Sequence, residues 1–353
     1  MVMPPTPWLV TAGDPAGIGP EIVLQAALRR PEWMRQAVIV GHLPSLQRAW
    51  DVLAATRPDV PPPVWQTVDA LAPLPTQAPP GVWRVHPVAT EWSLTEVPLG
   101  RVGRAAGHIA SQSVLLAAQA CLAGRACAMV TAPIHKQALD LAGVPFPGHT
   151  EMLQHASARH LGVAVDGVPV RMMLATPALR TVLVSIHISL QDAIRAVTPD
   201  NVLQTLRITH QAEMAWRGVA PRIAVAGLNP HAGEGGLMGR EELDTLIPAI
   251  ARARAEGIDA SGPHPPDTVF MRARHAADHP GEFDVVVAMY HDQGLIPIKY
   301  LGLDEGVNVT LGLPLVRTSP DHGTAFDLAG TGRASPASLL AAWDMARRMA
   351  AQN

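Results

Sequence analysis

Short apolar runs rich in β-branched residues alternate with longer helix-patterned segments along the whole of this 353-residue chain. Such alternation favours an α/β fold with a mostly parallel sheet and crossover helices. The constraint sharpens in the second half, where three runs end in a histidine: Thr181-Val-Leu-Val-Ser-Ile-His187, Arg222-Ile-Ala-Val-Ala-Gly-Leu-Asn-Pro-His231 and Asp284-Val-Val-Val-Ala-Met-Tyr-His291. Ligands of open α/β sheets bind beyond the carboxyl ends of the strands. Three imidazoles delivered to three such ends can converge on one cation, a common way to hold a catalytic divalent metal. A lone histidine after a strand is more often a hydrogen-bonded structural residue. The shared position of these three, and the tight polar turns around His231 and His291, favour ligation.

Further elements follow from the pattern. A strand from Trp8 leads through a glycine-rich turn, Gly13 to Pro20, into a helix over 22–29, with Pro20 and Glu21 suited to its start. A strand is expected at 37–41, a long helix at 103–122 and a strand at 126–131. The runs near 170–175 and 181–186 read as a hairpin. Thr198-Pro-Asp caps a helix over 198–217, another helix lies near 240–256, and the last begins near Ser335-Pro. Residues 57–99 are proline-rich and poorly periodic, and read as loops plus an edge strand near Gly81-Val-Trp-Arg-Val.

The charge balance, 27 Lys and Arg against 30 Asp and Glu, argues against nucleic acid or an anionic membrane as partner. No apolar stretch reaches the roughly 18 residues of a membrane span, and Met1-Val-Met-Pro-Pro-Thr-Pro lacks the features of a secretion signal. Cys121 and Cys127 read as buried structural thiols, which suits a cytoplasmic protein. Of the other histidines, His155, His160, His264, His275 and His279 read as solvated.

A second constellation concerns anions. Gly148-His149-Thr150-Glu151 opens a helix, and a helix start bearing His and Thr can hold a phosphate or carboxylate; equally, Thr150 can be a plain N-cap. Lys299, Asn308 and Arg317 stand in otherwise apolar segments, where polar groups are costly to bury unless paired. An anionic substrate or internal carboxylates would both serve.

At these residues a family resemblance appears. Gly13-Asp-Pro-Ala-Gly-Ile-Gly-Pro-Glu and the stretch from His322-Gly-Thr-Ala-Phe-Asp-Leu-Ala-Gly-Thr-Gly to Pro336 resemble the start and the adenosine loop of the isocitrate/isopropylmalate dehydrogenase superfamily. The first is no Rossmann fingerprint, since GxGxxG would need glycine where Ile22 stands. Thr131-Ala-Pro-Ile-His-Lys, Pro147-Gly-His-Thr-Glu, Gly227-Leu-Asn-Pro-His-Ala-Gly-Glu-Gly-Gly, Pro266-Asp-Thr, Tyr290-His-Asp-Gln-Gly and Gly306-Val-Asn-Val-Thr-Leu-Gly-Leu-Pro are similar to the 4-hydroxythreonine-4-phosphate dehydrogenase family.

That resemblance implies two α/β/α domains with a central cleft. They are expected at 1–130 plus 305–353 on the nucleotide side and at 131–304 on the metal and substrate side. It implies His187, His231 and His291 as metal ligands, with zinc favoured and magnesium or cobalt as alternatives. His149, Thr150, Lys299, Asn308, Arg317 and Asp267 become substrate-binding residues, and His322, Gly323, Thr324 and Asp327 bind NAD(P). A homodimer that completes the metal site across its interface is also implied. The implied reaction is NAD(P)- and metal-dependent oxidation of 4-phosphooxy-L-threonine with decarboxylation to 3-amino-2-oxopropyl phosphate; the sequence does not name the general base, for which a water, His149 and Asp292 are the candidates. Residues 152–170, long and polar, and 57–99, without a motif, depart from the family pattern. Alternatives are a same-fold dehydrogenase of a four-carbon sugar-acid phosphate (erythronate or threonate 4-phosphate) or of an aromatic cis-dihydrodiol, and a tris-histidine hydrolase or lyase.

Overall fold

The computed structural model describes residues 6–302 and 305–351; the leading residues 1–5 lie outside the described part. Twelve strands occur among the described residues: β1 (Trp8–Thr11), β2 (Ala37–Gly41), β3 (Val64–Thr67), β4 (Val82–Pro87), β5 (Ala128–Thr131), β6 (Arg171–Ala175), β7 (Arg180–Leu183), β8 (Ile223–Ala226), β9 (Ala260–His264), β10 (Val285–Ala288), β11 (Val307–Leu311) and β12 (Arg317–Pro320). The chain divides into two compact units, Met1–Pro169 with Leu313–Ala350, and Val170–Gly312. Residues 131–169, expected from the resemblance in the same domain as the histidine-bearing segments, pack in the first unit.

In the first unit the strands run in the order β3-β4-β2-β1-β5-β12, every pair parallel. Register aligns Leu9 with Val38 on one side and Met129 on the other. The helix Arg104–Leu122 lays Val114, Ala117 and Ala118 against that row. Each such buried aliphatic side chain stabilises the fold by roughly 1.5–3 kcal/mol for a residue of Leu or Val size. The 57–99 segment holds two strands, and the edge is β3, whose Val64 is exposed. The expected edge strand, β4, is interior, paired with β2 and β3. Buried Arg84 on β4 explains the weak signal: its guanidinium donates to the carbonyls of Ala37, Pro75 and Arg35, pinning the irregular chain around it.

In the second unit the order is β11-β6-β7-β10-β8-β9. β6 is antiparallel to both neighbours, forming the expected hairpin with β7, and β7, β10, β8 and β9 are parallel. The core gathers Leu174, Leu183, Ala224 and Val286 from the strands with Phe270, Leu295 and Ile298 from flanking helices. The helix Pro199–Arg217 starts where its sequence cap predicts, Thr198 accepting from the Asn201 N–H. Among the described residues no helix is long and apolar enough to cross a membrane.

Candidate active site

The parallel run β7-β10-β8 brings its three carboxyl ends side by side, and the histidine-bearing loops leave from there. Those loops are tied to one another. The Val184 N–H donates to the Ala288 carbonyl, and the Ser185 hydroxyl donates to the Met289 carbonyl at 3.0 Å, fastening the His187 loop to the His291 loop. Gln293 fastens the His291 loop to the His231 loop: its Oε1 accepts from the Met289 N–H and its Nε2 donates to the Gly227 carbonyl, both at 2.7 Å.

His187 and His291 come together, their ring centroids 5.7 Å apart. They share a cavity of about 310 Å³ with Ile188, Leu190, Tyr290 and Asp292. His291 opens the helix His291–Leu301, and its Nδ1 meets the Asp292 carboxylate at 2.7 Å. A carboxylate on one ring nitrogen fixes the tautomer that offers the other nitrogen to a metal. His231 lies on an adjoining cavity of about 630 Å³ with Asp267, Gln293 and Ile296, and Tyr290 and Asp292 line both cavities. Among the described residues no group of three or more His, Cys, Asp or Glu side chains is gathered closely enough to hold a metal ion. The side chains present are of kinds that bind divalent metals: two neighbouring imidazoles, one with a carboxylate on its Nδ1, and a third on the adjoining loop.

The backbone at His231 is unusual. His231, Ala232, Gly233, Glu234 and Gly235 have φ of 51°, 53°, 79°, 43° and 67°, a turn of left-handed helix. Left-handed conformation costs an L-residue with a side chain roughly 1–2 kcal/mol. Strain of this kind persists only where surrounding structure over-determines it. Here the buried Glu242 carboxylate accepts from the Leu228 and Asn229 N–H groups and from Asn229 Nδ2.

Two of the remaining predicted side chains, Lys299 and Asp267, are exposed in the second unit, and half-buried Asn308 lies on β11 opposite Leu174 of β6. In the first unit, Arg317 opens β12 fully inside the protein. Burial pushes its guanidinium down to about 9 while the nearby Glu151 carboxylate pulls it up, so it stays cationic at neutral pH. Its Nε and Nη2 both donate to Thr131 Oγ1, at 3.1 and 2.8 Å. His149 opens the helix His149–Leu161; Gly148, rather than Thr150, is the N-cap residue. Burial and the neighbouring Arg317 charge hold His149 neutral, well below the usual imidazole range. Its Nε2 is sealed from solvent with no hydrogen-bond partner among the described residues.

The loop after β12 docks on the glycine-rich turn after β1. Ile18 N–H donates to the Thr324 carbonyl, and a Cβ on Gly17 would stand 2.8 Å from that oxygen. Glu21 contributes more than helix-start charge: its carboxylate accepts from the Gly330 and Gly332 N–H groups at 2.5 and 2.7 Å. Gly323 and Asp327 on this loop are exposed, Thr324 is buried, and His322 Nε2 is sealed without a partner among the described residues. Phe326 stacks on His135, with centroids 5.0 Å apart. Of the histidines expected to be solvated, His264 and His275 are half-buried and bonded, to Ser261 and Arg272 and to Gly281 and Phe283. Both cysteines are free, and burial raises their thiols, that of Cys127 to about 11.

Imidazoles beyond parallel strand ends, a buried cation and a glycine loop strapped to the first turn stand on an α/β fold shared with solved dehydrogenases. The structure of 4-hydroxythreonine-4-phosphate dehydrogenase from Klebsiella pneumoniae superposes with a TM-score of 0.82 at 37% identity, covering 98% of this chain and 99% of that one. Within that class, the chain belongs to the family described as pyridoxal phosphate biosynthetic protein PdxA, whose model matches residues 33–346. The 4-hydroxythreonine-4-phosphate dehydrogenase of Beijerinckia indica subsp. indica is 49% identical over 99% of this chain and 96% of its own. That of Geobacter metallireducens is 46% identical over 97% and 95%.

Proposed function

We propose that this chain oxidises 4-phosphooxy-L-threonine with NAD(P), with decarboxylation to 3-amino-2-oxopropyl phosphate, using a divalent metal, in pyridoxal phosphate biosynthesis. The observation that carries this reading is the end-to-end likeness to dehydrogenases named for that substrate, in a chain that has a buried cation, Arg317, and a neighbouring pair of imidazoles, His187 and His291. His187, His231 and His291 would hold the metal, with zinc favoured by three imidazoles and magnesium or cobalt as alternatives. Such an ion supplies Lewis acidity toward the substrate's alcohol and, after oxidation, toward the carbonyl.

The protein's own groups bind and orient. Arg317 and Lys299 meet the substrate's anionic groups, and the planar guanidinium suits paired oxygens. His149 and Thr150 contact the phosphate, Asn308 offers an amide, and Asp267 offers a carboxylate to the ammonium group. Asp292, engaged with His291, acts by orienting that ring. His149 is held neutral, and the burial and Arg317 charge that do so disfavour its protonated ring. The nucleotide lies along His322, Gly323, Thr324 and Asp327, on the loop that Glu21 ties down. A homodimer completes the metal site. In support, Ile188, Leu190 and Ile296, 50%, 59% and 63% exposed, line the two histidine cavities.

The test is turnover by the purified protein, followed as nicotinamide reduction, across 4-phosphooxy-L-threonine, erythronate and threonate 4-phosphates and a cis-dihydrodiol. Each is run with NAD and NADP, before and after chelation and zinc or cobalt return. The expected result is the highest kcat/KM on 4-phosphooxy-L-threonine, lost on chelation and restored by metal. A higher kcat/KM on any other substrate, or full activity after chelation, overturns the proposal.

A further inference from the structure

We infer that Glu242 is the positioning residue that sets His231 at the metal, an inference that rests on reading His231 as a ligand. The left-handed turn from His231 to Gly235 holds side-chain-bearing residues at positive φ, a strain that persists only where the surroundings hold it. Glu242 does this from inside. Its side chain is 2% exposed, and Oε1 accepts from the Leu228 and Asn229 N–H groups, both at 2.8 Å. Oε2 accepts from Asn229 Nδ2 at 2.9 Å, a group that also donates to Glu241 at 2.7 Å. The same Oε2 would stand 2.6 Å from a Cβ placed on Gly233, so the carboxylate fills the hollow of the turn. Glu242 opens a short π-helical turn, Glu242–Leu246, a widened geometry that recurs at functional sites. The histidine therefore has its approach to the cavity set by four hydrogen bonds, counting Glu241, on the residues just before it and by a side chain packed against the residue two places after it.

Charge and length both matter here. A neutral amide at 242 can still accept with its oxygen, but its nitrogen would face Asn229 Nδ2, donor against donor. An aspartate keeps the charge but withdraws the carboxylate by one methylene. Outer-shell partners of metal ligands typically change metal affinity by about 10–100-fold when lost.

The experiment is a calorimetric titration of metal-stripped protein with Co²⁺ alone, on wild type, His231→Ala, Glu242→Gln and Glu242→Asp, with an NAD titration of the same samples. The expected result is a loss of about 10–100-fold in Co²⁺ affinity in both Glu242 variants, with NAD affinity unchanged because the nucleotide loop lies in the other unit. If Glu242→Gln does not fold, Glu242→Asp with intact NAD binding carries the test. Wild-type Co²⁺ affinity in a folded Glu242 variant, with His231→Ala impaired, overturns this inference and leaves the ligand reading standing. Wild-type affinity in His231→Ala overturns both. Parallel loss of Co²⁺ and NAD affinity marks Glu242 as merely structural and also overturns it.

Discussion

Arg317 sends two donors to a single hydroxyl oxygen, Thr131 Oγ1. The parallel register sets Arg317 of β12 opposite Met129 of β5, and its long side chain reaches the hydroxyl two residues further along that strand. Removing that oxygen while keeping the shape, as in Thr131→Val, leaves two buried donors without an acceptor, at a cost of about 1–3 kcal/mol. The guanidinium then turns toward other acceptors. Thr131→Val is expected to raise KM for the phosphorylated substrate about tenfold with kcat little changed, and Thr131→Ser to restore it. Steady-state kinetics on the two variants decide this, and an unchanged KM in Thr131→Val removes the role. The strand-end positions of His187, His231 and His291 and the place of Arg317 in an apolar strand are legible because charged or ligating side chains stand out in apolar runs. Thr131, Ser185, Glu242 and Gln293 are not. A polar side chain that bonds a backbone group or a distant neighbour leaves no periodic mark, and only coordinates reveal its partner.

Among elements, the alternating strands and helices were readable, as were the β6–β7 hairpin and the Thr198 cap, since each rests on local patterning. Two features escaped. β3 is short and exposed, so its pattern resembles loop. The glycine-rich stretch after Asn229 announces a turn, but its left-handed course depends on Glu242, which is not local to it. At the opposite ends of the strands, Arg180 opens β7 and Asp284 and Arg222 precede β10 and β8, all meeting the helix Pro199–Arg217 through Glu213 and Arg217. Burial outweighs the attraction of Arg180 and Arg217 and raises the Glu213 carboxyl from 4.5 to about 7. Burial alone would raise Asp284 too, but hydrogen bonds from Arg222 and Arg217 prevail and hold it below the ordinary 3.8. The signs are opposite. Between pH 4.5 and about 7 only the folded state keeps the Glu213 proton, so its contribution to stability is lost as pH rises. The Asp284 contribution is lost on acidification. Asp14, raised by burial to about 6, adds to the Glu213 trend. Urea midpoints measured from pH 5 to 7 are therefore expected to decline less in Glu213→Gln than in wild type. Parallel declines would contradict the assignment.

On the scale of the whole molecule, the second unit leaves large apolar side chains in water: Leu237 is 85% exposed, Met271 66% and Tyr300 90%. In the proposed homodimer, Leu237 is the side chain whose cover by the partner is tested. Sedimentation equilibrium is expected to give a dimer for wild type and a shift toward monomer, with weaker metal binding, for Leu237→Glu; a monomeric wild type would contradict the proposed assembly. The two units differ in how the chain builds them. The strands of the second all come from Val170–Gly312, whereas the first takes β12 and the helix Ala337–Ala350 from beyond that stretch. Glu21 waits more than three hundred positions for the glycines it holds. During synthesis, then, the stretch translated later has all its strands first, while the sheet begun by β1 waits for β12.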